Sequence, residues 1–146
     1  MLNKDFKEFI ELLNKNRVKY LVVGGYAVAL HGYPRYTKDL DVWIELTPEN
    51  ASNILKALEK FGFGSLDLKQ DDFLKEDQII QLGYPPNRID IMTSLKDLTF
   101  KDCFDTRVKV EIEGVQINFI GLDNLKKNKR AVGRLQDLAD LENLET

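Results

Sequence analysis

Residues 19–30 put a strand, a glycine pair and a helix in direct succession, and that junction narrows the folds open to this chain. Lys19–Val23 is short and rich in branched and aromatic residues, the pattern of a strand. It runs straight into Gly24-Gly25, and Tyr26-Ala27-Val28-Ala29-Leu30 reads as a helix. Glycine is needed where the backbone takes a positive φ or must approach another group closely. Backbone N–H groups at a helix start favour an anion such as a phosphate. Shortly afterwards Asp39–Glu45 alternates, with Leu40, Val42 and Ile44 facing one way and Asp39, Asp41 and Trp43 the other. Carboxylates two apart on a strand share a face at about 7 Å, where they repel and lose hydration. A divalent, oxygen-loving cation relieves both penalties, and Mg²⁺ typically uses one or two carboxylates with substrate phosphates and water. An isolated Asp-x-Asp equally describes a solvated edge strand. Following a phosphate-cradling turn, it is a way to hold a nucleoside triphosphate.

Other residues extend this constellation. Asp90 stands between Ile89 and Ile91 in a strand, on the opposite face, as a solvated residue or a third carboxylate. In phosphoryl or nucleotidyl transfer a third acid completes a second metal site and orients the attacking hydroxyl. Arg35 and Thr37 lie in the loop before Asp39, suited to a phosphate clamp and a hydroxyl donor, or simply to a loop surface. Lys126, Lys127, Lys129, Arg130 and Arg134 form a basic run near the C-terminus. At helical spacing Lys127, Arg130 and Arg134 share a face. Lys129 and Arg134 suit a triphosphate or a phosphorylated acceptor such as RNA; equally, the run pairs with Asp137 and Asp140 on a solvated helix, and Asp137 orients Arg134. Trp43 is placed either to stack on a base or to bury in the core. Tyr26, Tyr33 and Tyr36 surround the glycine loop as a base pocket, while His31 and Cys103 read as packing residues.

The remaining pattern supplies the frame. An amphipathic helix opens the chain through Leu2, Phe6, Phe9, Ile10, Leu12 and Leu13. Thr47 caps a second helix that starts at Pro48, runs to Phe61 and stops at Gly62. Residues 67–77 read as an acidic loop or short turn. Strands follow at 78–82 and 88–92, then a hairpin of 107–112 and 115–120 around Glu113-Gly114. Helices near 122–132 and 136–144, split by Gly133, close the chain.

Composition removes whole classes of chemistry. At 146 residues, with 43% apolar and 31% charged, the chain is one domain, residues 1–146, able to bury a core without a staple. A net charge of −3 argues against a general nucleic-acid coat or a polybasic membrane binder. One cysteine and one histidine exclude an internal disulfide and a histidine-rich or multi-cysteine metal site, and leave nucleophilic triads little to work with. The absence of a long apolar stretch excludes a signal peptide or membrane span, so a reducing cytoplasm is expected. The spacing of Gly24-Gly25 lacks the Gly-x-Gly-x-x-Gly of a Rossmann dehydrogenase.

Taken in order, Val23-Gly24-Gly25-Tyr26 to His31-Gly32, then Arg35-Tyr36-Thr37-Lys38-Asp39-Leu40-Asp41, then Asn87-Arg88-Ile89-Asp90, resemble the DNA polymerase beta-like nucleotidyltransferase superfamily. Lys129-Arg130-Ala131, Gly133-Arg134 and Asp137 to Leu141 extend the resemblance toward the small bacterial members similar to abortive-infection toxins (AbiEii-type). It departs in having Gly25-Tyr26 where many members have Gly-Ser, and in the thirteen residues, 26–38, between Gly25 and Asp39.

The resemblance implies an α/β (α+β) nucleotidyltransferase fold: a small mixed, twisted sheet with helices mainly on one face and a C-terminal helical pair. It implies Asp39, Asp41 and Asp90 as catalytic metal ligands for Mg²⁺ (or Mn²⁺), with Gly24, Gly25, Arg35, Thr37, Lys129 and Arg134 on the nucleotide. The expected reaction moves a nucleoside monophosphate from an NTP to a hydroxyl on RNA, a protein or a small molecule, releasing pyrophosphate. An antitoxin partner or a homodimer fits this setting. The alternative is a catalytically inactive module that binds a nucleotide or a partner on the same fold.

Overall fold

The computed structural model describes residues 2–32, 37–62, 67–84 and 87–145. In chain order these form α1 (Lys4–Lys15), β1 (Tyr20–Val23), α2 (Gly24–Leu30), β2 (Leu40–Ile44), α3 (Pro48–Phe61), β3 (Ile79–Leu82), β4 (Ile89–Met92), α4 (Phe100–Asp105), β5 (Val108–Ile112), β6 (Val115–Phe119), α5 (Leu122–Val132) and α6 (Leu135–Glu145). The strands make one mixed sheet in the order β3-β4-β2-β1-β6-β5. β2 runs parallel to β4 and antiparallel to β1, and β1 runs parallel to β6. The fold is therefore the mixed α/β arrangement expected.

Local chemistry sets the elements. Asn3 caps α1 by accepting from Phe6 N at 2.8 Å, and Phe6, Phe9, Ile10 and Leu13 turn its apolar stripe inward. Phe9 meets Phe61 of α3 with ring centroids 5.3 Å apart. The Thr47 cap, Pro48 at the first turn and Gly62 at φ 97° bound α3 where its sequence predicts. In the β5–β6 hairpin Glu113 and Gly114 both take positive φ, the turn whose twist matches its strands. The acidic stretch contributes a 3-10 turn, Gln70–Phe73, that buries Phe73.

α4 has no counterpart in the sequence reading. It is one and a half turns long, too short for periodicity to separate from a loop. Its signal is Thr99 followed three residues later by Asp102, whose Oδ2 accepts from the Thr99 hydroxyl at 2.7 Å. It buries Cys103, whose thiol pKa is pushed up to about 11 by burial and by Asp102.

Asn50 ties the two central strands together. Its Oδ1 accepts from Lys19 N at 2.8 Å, and its Nδ2 donates to Lys19 O at 3.0 Å and Glu45 O at 2.9 Å. The side chain thus fixes the entrance of β1 and the exit of β2 to the first turn of α3. Asn50→Ala removes three partly buried hydrogen bonds and is expected to cost about 3 kcal/mol. Chemical denaturation should show an unchanged slope and a lower midpoint.

Candidate active site

The site forms where β1 gives way to α2. Gly24 takes φ +66°, and a Cβ there would lie 2.9 Å from Asp41 Cγ and overlap Asp41 Oδ2. It must be glycine on both counts. Gly25 is buried in the first turn of α2. His31 closes α2 by joining its Nε2 to Ile120 O at 2.7 Å, so its ring anchors the helix to the end of β6.

Parallel pairing of β2 and β4 sets Asp41 directly beside Asp90, and Asp39 precedes β2 by one residue. The three expected carboxylates therefore converge. Arg88, to which the sequence reading gave no role, sits between two of them. Its Nη2 donates to Asp39 Oδ2 at 2.8 Å and to Asp90 Oδ2 at 3.2 Å. Its Nε lies 3.1 Å from Asp90 Oδ1 without hydrogen-bond alignment. Asp39 Oδ1 and Asp90 Oδ1 are buried and have no hydrogen-bond partner. A cation two residues before Asp90, at the entrance to β4, was the available signal, since residues two apart in extended chain share a face.

The electrostatics follow from crowding acids where water is scarce. Asp41 is pushed up to about 7, first by burial, then by Asp90 and Asp39, against the pull of Arg88 and Lys129. Burial also raises Asp90, opposed by the Arg88 hydrogen bond. Among the described residues no three acids, histidines or cysteines close into a ready-made metal cage. The donor set still suits Mg²⁺, which binds through one or two carboxylates together with substrate phosphates rather than in an all-protein cage. Two buried carboxylate oxygens that accept no hydrogen bond and a third acid with a raised pKa are what such a cation relieves.

A cleft of about 270 Å³ opens from Gly24 and Asp41 and is bordered by Lys129 and Arg134. The Lys129 ammonium is buried, 3.1 Å from both Asp137 and Asp140. Arg134 Nε meets Asp137 Oδ2 at 2.7 Å, the pairing the sequence suggests, and its side chain is 74% exposed. Burial alone would raise Asp137, but hydrogen bonds from Arg134 and Lys129 outweigh it and hold its pKa below the usual carboxylate range.

One expectation changes and one open alternative is resolved. The shared face of Lys127, Arg130 and Arg134 does not form, because Gly133 at φ 68° ends α5 before Arg134. Arg130 pairs with Glu145 at 2.7 Å instead. Trp43 is not placed for base stacking: it is 2% exposed and packs edge-on against Phe100 of α4 at 5.2 Å. Tyr26 likewise packs edge-on against Phe6. Thr37 is partly buried two residues before Asp39. Arg35, Tyr33 and Tyr36 lie outside the described residues.

Residues 2–145 match a family described as nucleotidyltransferase of unknown function (DUF6036). Solved structures give the same picture of the fold. A candidate nucleotidyltransferase from Thermotoga maritima superposes with a TM-score of 0.62 at 18% identity, covering 94% of this chain and 88% of that one. An antigenic nucleotidyltransferase-like protein from Paracoccidioides brasiliensis gives 0.58 at 16%, covering 98% and 77%. The lincosamide antibiotic adenylyltransferase LnuA, with lincomycin bound, gives 0.59 at 16%, covering 100% and 98%. No curated protein matches the sequence. Among the described residues no helix is long and apolar enough to cross a membrane.

Proposed function

Because the chain belongs to this nucleotidyltransferase family, we propose that it transfers a nucleoside monophosphate from an NTP to a hydroxyl acceptor, with Mg²⁺, and releases pyrophosphate. The observation that carries this is the gathering of Asp39, Asp41 and Asp90, with Asp41 against Gly24 and with two buried carboxylate oxygens that accept no hydrogen bond. The three acids would hold the metal with the triphosphate oxygens, where it neutralises charge developing on the transferring phosphoryl group. Arg88 holds Asp39 through Oδ2 and meets both oxygens of Asp90, which fixes the two acids beside one another. Asp90 would take or orient the acceptor hydroxyl's proton once substrate orders the site. Gly24 and Gly25 let the phosphates approach the backbone. Arg134, largely exposed at the cleft, contacts them, and Lys129 sets the position of Asp137 behind it. Arg35 and Thr37 are assigned to the same phosphates on the motif resemblance, as is a toxin role with an antitoxin partner.

The hold of Arg88 on two acids favours one second reading. A binding module that has kept the fold would use this guanidinium in place of a metal and bind NTPs without one. Calorimetric titration of the four NTPs, with and without Mg²⁺, separates the readings. Metal-dependent binding that Asp39→Asn/Asp41→Asn abolishes is the expected result. Equal binding without metal, untouched by the double substitution, would overturn the catalytic reading in favour of the module.

A further inference from the structure

The sheet register places an apolar row next to the acidic one. Asp41, Asp90 and Gln81 lie opposite one another across β2, β4 and β3. Two residues along, on the same face and about 7 Å away, lie Trp43, Met92 and Ile79. Phe100 covers Trp43. Met92 is only partly covered, and Ile79 on the edge strand is 61% exposed. Val132, at the end of α5, is 37% exposed. Ile79, Met92 and Val132 all line the cleft that contains Asp41 and Arg134. Exposed aliphatic side chains gathered at a polar cleft mark a binding surface.

Resting on the nucleotidyltransferase reading above, we propose that Ile79, Met92 and Val132 form a shelf for the base of the nucleotide, and that this shelf selects for size and apolar surface rather than for the base edge. Three observations carry this. The same cleft presents an exposed cation, Arg134, beside the shelf, so one ligand with a phosphate and a flat apolar group satisfies both. The cleft, at about 270 Å³, is the size of a small-ligand site. Two neighbouring polar side chains are each tethered to the frame by one hydrogen bond: Ser94 Oγ accepts from Asp77 N at 3.0 Å, and Asn128 Nδ2 donates to Lys96 O at 3.3 Å. Discrimination between bases of equal size needs hydrogen-bonding groups aimed at the base edge, and these bonds direct the two side chains toward the frame.

The test is calorimetric titration of ATP, GTP, CTP, UTP and tripolyphosphate, each with Mg²⁺, on the wild type and on Ile79→Ser/Val132→Ser. Both positions are exposed, so the variant should fold, and circular dichroism checks that it does. ATP and GTP should bind within about threefold of each other and tighter than CTP and UTP, by the greater apolar area of a purine. The double substitution should weaken ATP and GTP by about tenfold and leave tripolyphosphate unchanged. Unaltered ATP binding in the variant would overturn the shelf and leave those side chains to the acceptor. A preference of about 100-fold for a single base would overturn selection by size. A wild type that binds ATP no tighter than tripolyphosphate would overturn the shelf alone. Failure to bind either would remove the nucleotidyltransferase reading, and the shelf with it.

Discussion

Asp41→Asn should raise the melting temperature of the metal-free protein at pH 8, leave it almost unchanged at pH 4, and abolish nucleotidyl transfer. Burial, followed by the charges of Asp90 and Asp39, pushes the Asp41 pKa up to about 7. In the unfolded chain the same carboxyl ionises near pH 3.9. Between those values the folded protein keeps a proton that the unfolded chain has released, so stability falls as pH rises from about 4 to about 7. Three pH units correspond to about 4 kcal/mol. Partial exposure of Asp41 to solvent screens that, leaving about 2 kcal/mol. Asparagine keeps the shape and does not titrate, so the variant retains at pH 8 what the wild type loses there. The gain should be roughly 6 °C at pH 8, read by thermal unfolding in a chelator. Mg²⁺ with an NTP should then stabilise the wild type and not the variant. Equal melting temperatures at pH 8 would show that Asp41 carries no electrostatic strain; undiminished transfer would remove it from the chemistry. A residue that destabilises the empty fold and is indispensable to the reaction is the behaviour expected of a cation ligand.

What the sequence discloses here depends on how local the determining interaction is. The α3 boundaries are legible because Thr47, Pro48 and Gly62 act within a turn of where they sit. The Asp-x-Asp strand is legible for the same reason, as is Asp90 between its isoleucines. Arg88 is visible in the sequence, but its function comes from register: only parallel pairing of β2 with β4 brings Asp39 to its guanidinium, across forty-nine positions of chain. Trp43 shows the converse. Alternation correctly puts it on the face of Asp41, but α4, a six-residue helix with no usable periodicity, covers that face and turns a base-stacking candidate into core. The shelf was equally hidden, since Ile79, Met92 and Val132 come from three elements that only the folded sheet and α5 assemble. Lys129 is intermediate. The sequence shows both the basic run and the acids that follow, but not which of them loses its water.

That distinction can be measured, because Lys129→Met should destabilise the protein severely. Lys129 is 6% exposed and its partners Asp137 and Asp140 are 2% and 1% exposed. The ammonium is therefore shared between two carboxylates that have almost no water to fall back on. Arg134 still serves Asp137, and Gln136 donates to Asp140 at 2.8 Å, but neither replaces a buried positive charge between the two acids. Removing one partner from a buried ion cluster typically costs about 3–5 kcal/mol, because the remaining charge is left uncompensated. For a chain of this size that lowers the melting temperature by roughly 10 °C or more. The loss should concentrate at the α5–α6 interface, where amide hydrogens of α6 exchange fastest. Asp137 gives the pH signature: its pKa is held low, so its stabilising contribution is present above the unfolded carboxyl pKa and disappears as pH falls through the folded value. The variant should keep only the part of that acid-side slope that Arg134 supplies. Neutralising the acids as well, in Lys129→Met/Asp137→Asn/Asp140→Asn, should recover much of the stability, since the penalty belongs to unpaired charge and not to the missing lysine. A Lys129→Met protein that melts like the wild type yet no longer binds tripolyphosphate would reverse the assignment. The ammonium would then be held in place by Asp137 and Asp140 for use on a phosphate, and the cleft would have two phosphate cations where the geometry assigns one.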